Sequence, residues 1–453
     1  MSANPIIPGF HPDPSICRVG NDHYLVTSSF EYLPGVPIFH SLDLVSWRLI
    51  GNVLDRDDQL TVPSSAGSGG IFAPTLRHHD GVFYMITTNI DRVEDGHLIV
   101  TATDPAGPWS TPVFTTGAIG IDPDLFWDED GTCYLTWAVF GGEVPIHQAT
   151  IDPQTGELLS PPRGLSNGTG LAHPEGPHLY RRGDWYYLLL AEGGTEGGTE
   201  RGHAVTIHRS RSARGPFEPD PANPILSHRS TTNPVQNTGH ADLIKTRNGW
   251  AMVHLGVRPF GPTPGFHVLG RETFVAGVRW QDDWPIVDAS AFDVPAWPSG
   301  LDDTFDLFDD ASGVSHHGTR WIAPRLGPRW VAPGRYPRAF VSPAPGGGVS
   351  IASSTVPSDR SLLAIRVEDQ SWQAEATVDA GTGRLVSSLW PAPHPPPPRC
   401  CAASSTARSE APRRTPRERP SGHRRRVSAR RCLRPRPRGR RCAPAHRSGC
   451  QTG

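Results

Sequence analysis

Residues 11–26 read HPDPSICRVGNDHYLV, and this stretch decides how the rest of the chain is interpreted. The Gly-Asn-Asp segment in its second half is typical of a turn, and the apolar residues on both sides predict two antiparallel strands. Pro12 and Pro14 restrict the residues that precede them, so we expect an extended backbone at His11 and Asp13. The stretch therefore predicts a carboxylate followed directly by a β-hairpin.

The same design recurs four more times along the chain. Each copy has an entry marked by Pro or Gly, a short apolar strand, a turn of Gly, Asp or Asn, and a second strand. A spacing of 11 residues, or once 12, separates the matching pairs Asp13 and Tyr24, Ala73 and Tyr84, Asp122 and Tyr134, Glu175 and Tyr186, and Ala241 and Met252. Five units of about 50 to 60 residues, with about four strands each, predict an all-β chain whose residues 1–298 form a five-bladed β-propeller.

Three acidic residues share one position of this repeat. In a propeller the first strand of each blade lines the central channel, so equivalent residues converge on one axis. We therefore expect Asp13, Asp122 and Glu175 to meet at one mouth of the channel. Each acid alone is explained more simply as a turn residue or a solvated residue. Together, three like charges destabilise folding unless they serve a function, so the group predicts an active site.

Glycoside hydrolysis is the chemistry that such a group fits. It needs two carboxyl groups on opposite sides of a sugar bond, one protonated and one ionised. A third carboxylate nearby raises the pKa of the acid and keeps it protonated at neutral pH. The sequence has no phosphate-binding Gly loop, nucleophile-elbow Ser or zinc-type Cys pair. The pattern therefore favours a glycosidase.

An ordered set of motifs supports this interpretation. The motifs are residues 4–15 (NPIIPGFHPDPS), 120–123 (GIDP), 175–180 (EGPHLY), 239–242 (GHAD) and 270–273 (GRET). Together they resemble glycoside hydrolase family 43, in particular its β-xylosidase and α-L-arabinofuranosidase branch, over about residues 4–385. The resemblance implies an inverting exo-glycosidase that releases xylose or arabinofuranose from short oligosaccharides. An arabinan-directed hydrolase and a non-catalytic sugar-binding propeller are the alternatives.

The resemblance also implies a role for each carboxylate. Asp13 matches the general base that activates water, and Glu175 matches the general acid that protonates the departing oxygen. Asp122 matches the third carboxylate, which tunes the pKa of the acid and orients it.

Four further residues match the substrate pocket of the family. Arg271 matches an arginine that can hydrogen-bond sugar hydroxyls. His240 matches a histidine that lies near a bound cation in some relatives, but we expect neither a metal nor a cofactor here. Phe30 and Phe72 match apolar walls of the sugar pocket, and Phe72 stands where close relatives usually carry Trp.

Charge divides the chain into two unlike parts. The net charge is −2, but residues 391–453 hold 17 Arg and no Lys against Glu410 and Glu418, which leaves an acidic upstream part. Five of the seven cysteines also lie in these last residues, so a disulfide framework is not expected. We predict a truncated C-terminal β-sandwich over residues 299–388 and a disordered Arg/Pro-rich tail over 389–453.

The tail is interpreted as an out-of-frame translation of a GC-rich gene, since the whole chain uses 42 Arg and one Lys. A nucleic-acid-binding tail is the alternative, and we expect no nucleic-acid partner. No apolar run long enough to span a membrane and no secretory signal are visible. We therefore expect a cytoplasmic protein whose partner is an oligosaccharide substrate. The sequence leaves open whether the protein forms a homo-oligomer.

Overall fold

The computed structural model describes residues 4–62, 66–195, 202–261, 266–288, 326–344, 349–354 and 361–370, and the backbone of two further strands given below. Strands dominate these residues, and the helices among them are two short 3₁₀ helices, Ile90–Asp95 and Pro337–Ala339. Within this described part of the chain, no helix is long and apolar enough to cross a membrane.

Five antiparallel sheets follow one another along the chain, and each is one blade of a propeller. The first blade contains β1 (Ser15–Val19), β2 (Asp22–Val26), β4 (Gly35–Ser41) and β5 (Arg48–Leu54), with the short β3 (Tyr32–Leu33) in the connection before β4. The second contains β6 (Thr75–His79), β7 (Val82–Thr87), β8 (Leu98–Ala102) and β9 (Val113–Phe114).

The remaining blades follow the same plan. The third contains β10 (Ile121–Trp127), β11 (Cys133–Ala138), β12 (Ile146–Asp152), β13 (Glu157–Leu158) and β14 (Arg163–Ser166). The fourth contains β15 (Glu175–Arg182), β16 (Trp185–Glu192), β17 (Ala204–Ser210) and β18 (Glu218–Pro219). The fifth contains β19 (Gln236–Lys245), β20 (Trp250–Val257), β21 (Glu272–Gln281) and β22 (Trp284–Asp288). The predicted all-β fold with a five-bladed propeller is thus confirmed.

Alternate residues of a strand pack against the two neighbouring blades, because successive side chains point to opposite faces. In β2, Val26 lies in the apolar cluster shared with the second blade, whereas Leu25 lies in the cluster shared with the fifth. In β7, Met85 faces the first blade and Ile86 faces the third. Each fully buried aliphatic side chain stabilises the fold by about 1.5–3 kcal/mol. The contacts between blades therefore hold the ring together.

The inner strands carry a local distortion at the channel mouth. The ladder shifts by one residue between Ile121 and Asp124, between Glu175 and His178, and between Gly239 and Asp242. Left-handed φ angles of 55°, 55°, 56° and 44° occur at Asp13, Asp122, Gly176 and His240. By this marker Gly176, rather than Glu175, corresponds to Asp13. The predicted equivalence of the three acids is therefore wrong by one residue at Glu175, because Tyr187, rather than Tyr186, occupies the register of Tyr24 in its hairpin.

The extended backbone expected at Asp13 is also wrong, since its φ is 55°. Its carboxylate accepts hydrogen bonds from Ser28 and Arg271, which lie far from it in sequence. A left-handed conformation costs about 1–3 kcal/mol and persists only where the surroundings impose it. These contacts therefore outweigh the local preference that Pro14 sets.

A partly buried arginine joins all five blades at the centre of the channel. Arg77, on β6, donates from Nη2 to Asp124 Oδ1 at 2.7 Å and from Nη1 to Asp242 Oδ2 at 2.8 Å. The same guanidinium lies 3.3 Å from Ser15 Oγ and 3.0 Å from His178 Nδ1. These four partners belong to the third, fifth, first and fourth blades. Burial raises the pKa of Asp242, but Arg77 outweighs burial and holds that pKa well below its usual value.

Part of the segment after the propeller packs on the first blade. β23 (Ala332–Pro333) pairs with β3, and the buried Tyr336 places its hydroxyl 2.8 Å from the carbonyl oxygen of Arg56. β24 (Val341–Pro343) pairs with β25 (Val349–Ile351). In a separate unit, β26 (Trp372–Val378) pairs antiparallel with β27 (Arg425–Arg431).

The predicted domain limits are not settled by these elements. The boundary at residue 298, much of the sandwich over 299–388 and nearly all of the tail over 389–453 lie outside the described residues. The truncated sandwich and the out-of-frame tail therefore stay predictions.

Replacing Arg77 by Met should lower the free energy of unfolding by about 3–5 kcal/mol, because it leaves two buried carboxylates without their counter-ion. Urea denaturation of the full chain measures this change. Arg92→Met is the matched control, since Arg92 is 60% exposed and pairs with Asp95 on the surface. The control should lose less than about 1 kcal/mol. Equal losses in the two variants would contradict the role of Arg77.

Candidate active site

Asp13 is buried at the channel mouth and held by two hydrogen bonds. Its Oδ2 accepts from Ser28 Oγ at 2.6 Å, and its Oδ1 accepts from Arg271 Nη1 at 2.9 Å. His240 Nδ1 lies 3.7 Å from the same Oδ1. Burial raises the pKa of Asp13, but the charges of Arg271 and then His240 outweigh burial and lower that pKa below its usual value. Asp13 is therefore ionised at neutral pH, as a general base must be.

Glu175 is the first residue of β15, and its pKa is shifted in the opposite direction to that of Asp13. Burial raises the pKa of its carboxyl, and repulsion from Asp13 raises it further, although His240 and Arg271 act against this. The side chain keeps 22% of its surface exposed, so it can reach a molecule at the mouth. A carboxyl that holds its proton above its usual pH range is suited to act as a general acid. The pKa values of two acids at one mouth are thus shifted in opposite directions.

Asp122 links the two other acids. Its Oδ2 accepts a hydrogen bond from the backbone N–H of Gly176 at 3.1 Å, directly beside Glu175. Burial raises the pKa of Asp122 to about 7, and repulsion from Glu175 and Asp13 adds to this effect while His240 opposes it.

An apolar wall lies next to the charged groups. The Phe30 ring stacks on Phe10 at 5.6 Å between centroids and lies 5.5 Å from the ring of Phe72. The Arg271 guanidinium lies 5.4 Å from the centre of the Phe30 ring. The structure therefore places Phe30 and Phe72 together beside Arg271. Phe10 was missed, although its position directly before His11 in the first motif could have indicated it.

His240 completes the group, and a glycine leaves room for it. Gly176 has a φ of 56°, and a Cβ at this position would lie only 3.0 Å from His240 Nε2. The structure thus brings all of the predicted site residues to one region. Among the residues it describes, no three His, Cys, Asp or Glu side chains form a group that could hold a metal ion. The expected absence of a metal stays a prediction.

Sequence reasoning missed two buried polar residues beside the acids. Ser28 donates to Asp13, and His203 Nε2 lies 3.6 Å from Glu175 Oε1. Ser28 lies only two residues before Phe30, and this closeness to a predicted pocket residue could have indicated it. His203 lies outside the first two strands of its blade, where the repeat pattern was read, so no spacing rule pointed to it.

The fold and the site together define a class of protein. It is a five-bladed β-propeller with two carboxyls at one mouth whose pKa values are shifted in opposite directions, an arrangement suited to acid–base cleavage of a glycosidic bond. The model of the family described as "Glycosyl hydrolases family 43" matches residues 2–285. The chain belongs to this family.

Individual relatives agree with this assignment. The chain is 48% identical over 302 residues to "Xylosidase/arabinosidase" of Butyrivibrio fibrisolvens, a match that covers 64% of this chain and 56% of the relative. It is 47% identical over 289 residues to "Non-reducing end alpha-L-arabinofuranosidase BoGH43B" of Bacteroides ovatus, with 63% and 53% covered. The solved xylan beta-1,4-xylosidase from Bacillus halodurans C-125 aligns with a TM-score of 0.70 at 34% identity, covering 83% of this chain and 73% of that one. The matches span just over half the length of the first two relatives.

Asp122→Asn should flatten the pH dependence of stability between about pH 4 and pH 7. The pKa of Asp122 rises from 3.8 to about 7 on folding, so the folded state keeps this proton across that range. The resulting stabilisation is complete below about pH 4 and is lost as the pH rises toward 7. Asparagine does not titrate, so the free energy of unfolding, measured with urea at each pH, should fall less steeply in the variant.

The matched control is Asp184→Asn, because the Asp184 side chain is 90% exposed. This control should keep the pH slope of the unaltered chain. Parallel curves for Asp122→Asn and the unaltered chain would show that Asp122 does not hold a proton on folding.

Proposed function

We propose that this chain is an exo-acting glycoside hydrolase that releases xylose or arabinofuranose from short oligosaccharides with inversion. The observation that carries the proposal is the opposite pKa shift of Asp13 and Glu175 at one channel mouth. The names of the relatives support the two pentoses, since one is a xylosidase/arabinosidase and another an alpha-L-arabinofuranosidase. Family membership supports the reaction class.

The proposed reaction is a single displacement at the anomeric carbon. A water molecule attacks this carbon while Asp13 accepts one of the water protons. The glycosidic C–O bond breaks, its electron pair stays on the leaving oxygen, and that oxygen takes the proton of Glu175. One C–O bond forms as the other breaks, so the configuration inverts. Asp13 ends the step protonated and Glu175 ends it ionised.

The neighbouring groups suit a bound pentose. Arg271 uses Nη1 to bind Asp13. A guanidinium carries five N–H donors, so further N–H groups of Arg271 can donate to sugar hydroxyls. Phe30 and Phe72 offer apolar ring surface against which a sugar can pack. Asp122 holds the backbone beside Glu175 and so orients the acid. The cytoplasmic location, the absence of a nucleic-acid partner and any homo-oligomer stay predictions from the sequence.

Replacing Asp13 or Glu175 by Ala should lower kcat on phenyl β-D-xyloside, or on the matching arabinofuranoside, by at least about 100-fold. Each change removes one of the two proton transfers that the displacement needs. Asp184→Ala is the control, since this exposed acid lies on the turn between β15 and β16 and should leave the rate unchanged. Full activity in both site variants would refute the assignment of base and acid.

Three substrates tested side by side separate the candidate functions. We expect cleavage of an aryl β-xyloside, an aryl α-L-arabinofuranoside or both, and little release from arabinan. NMR of the first product should show the anomer opposite to that of the substrate. Sugar binding in a calorimeter without any cleavage would instead support a non-catalytic propeller, and preferred cleavage of arabinan would support the arabinan-directed alternative.

A further inference from the structure

His203 is a buried histidine whose ring makes no hydrogen bond that would explain its burial among the described residues. It lies directly before β17, has no exposed surface, and neither of its ring nitrogens completes a hydrogen bond among the described residues. The main chain at Asn237 faces the ring but does not meet hydrogen-bond geometry. An unsatisfied buried polar group costs about 1–3 kcal/mol. Such a cost at the edge of a candidate active site indicates a function.

The carboxyl of Glu175 lies beside the ring of His203. His203 Nε2 lies 3.6 Å from Glu175 Oε1, just beyond hydrogen-bond distance. Hydrogen bonds of catalytic groups are often long without substrate and shorten in the complex. A small movement of either side chain is therefore enough to form this bond.

The backbone keeps space for the ring. Gly239 lies against the imidazole, and a Cβ at this position would come within 2.3 Å of His203 Nδ1. Any larger residue at position 239 would have to push the histidine away from its place. The position of the ring is thus built into the first strand of the fifth blade.

The ring is neutral at working pH. Burial lowers the pKa of His203 to about 4, the charge of Arg271 adds to this, and Asp13 acts in the opposite direction. A neutral imidazole carries one N–H and cannot repel or neutralise the acid as a full charge would. It can still donate one hydrogen bond to a carboxyl oxygen.

We propose that His203 is a positioning residue for the general acid, donating its Nε2–H to Glu175 Oε1 once substrate is bound. This inference rests on the proposed function. The bond occupies Oε1, so the acidic proton of Glu175 is held on Oε2 and faces the leaving oxygen. When that proton is transferred, the bond stabilises the new carboxylate charge on Glu175. His203 gains and loses no proton during the step.

The test compares kcat for substrates with different leaving groups, because only a poor leaving group needs a proton from the general acid. The substrates are the phenyl and the 2,4-dinitrophenyl glycosides of the pentose that the unaltered chain cleaves. In His203→Ala, kcat on the phenyl glycoside should fall about 10- to 100-fold, a part of what a general acid supplies. On the dinitrophenyl glycoside, whose leaving group needs no proton, the fall should stay below about threefold. His203→Gln keeps an N–H donor and should recover part of the phenyl activity.

His208→Ala is the matched control. His208 lies on β17, is only 2% exposed, and likewise completes no hydrogen bond among the described residues through its ring. His208 lacks the contact with Glu175, so His208→Ala should change kcat on the two substrates by the same factor. A second variant, Gly239→Ala, displaces the ring of His203 without removing it and should reproduce the selective loss. This variant decides the matter if His203→Ala does not fold.

The outcomes separate this inference from the proposed function. If the unaltered chain cleaves neither glycoside, the proposed function is wrong. If it cleaves both, but His203→Ala and Gly239→Ala slow the two substrates equally or not at all, the positioning role is wrong and the function stands. A His203→Gln variant no better than His203→Ala would also overturn the hydrogen bond.

Discussion

The contact of Arg77 with the buried Asp124 and Asp242 is the constraint on which the rest of the structure depends. Neither carboxylate has any exposed side-chain surface, so each needs the guanidinium to offset the loss of water. The three residues come from different blades, and they meet only when the blades have closed around the channel. A buried ion pair adds little net stability compared with an apolar core. We infer that this one selects the closed ring over other arrangements of the same sheets.

The site lies one step above this contact on the same strands. Asp13 precedes Ser15 by two residues, and Asp122 precedes Asp124 by two, so these two channel residues each have a site carboxylate above them. The left-handed backbone at both acids is a strain of about 1–3 kcal/mol each. The network around Arg77 holds the strands directly below, and this fixed support lets the strained conformation persist. Fold and site are therefore built by one continuous set of polar contacts.

Local patterns in the sequence predicted the blades and the three acids, because each hairpin carries its own spacing and turn. The same patterns could not predict Arg77, whose partner Asp242 lies 165 residues away, nor His203, which contacts Glu175 across two strands. Asp13 was expected to be extended because Pro14 follows it, but contacts made only in the folded ring decide its conformation. The one-residue shift at Glu175 has a local cause, since Tyr186 and Tyr187 are adjacent and the spacing rule alone does not say which of them matches Tyr24.

A single guanidinium distinguishes the carboxyl that we propose as the base from the other two. Arg271 hydrogen-bonds Asp13 directly, whereas Asp122 receives a backbone N–H and Glu175 faces a neutral imidazole. A charged donor stabilises an ionised carboxylate about twice as strongly as a neutral one, so Asp13 loses its proton first. Burial then favours the protonated forms of the other two. In the proposed displacement Asp13 ends with a proton and Glu175 without one, and the same difference in surroundings favours the return of both groups to their starting states.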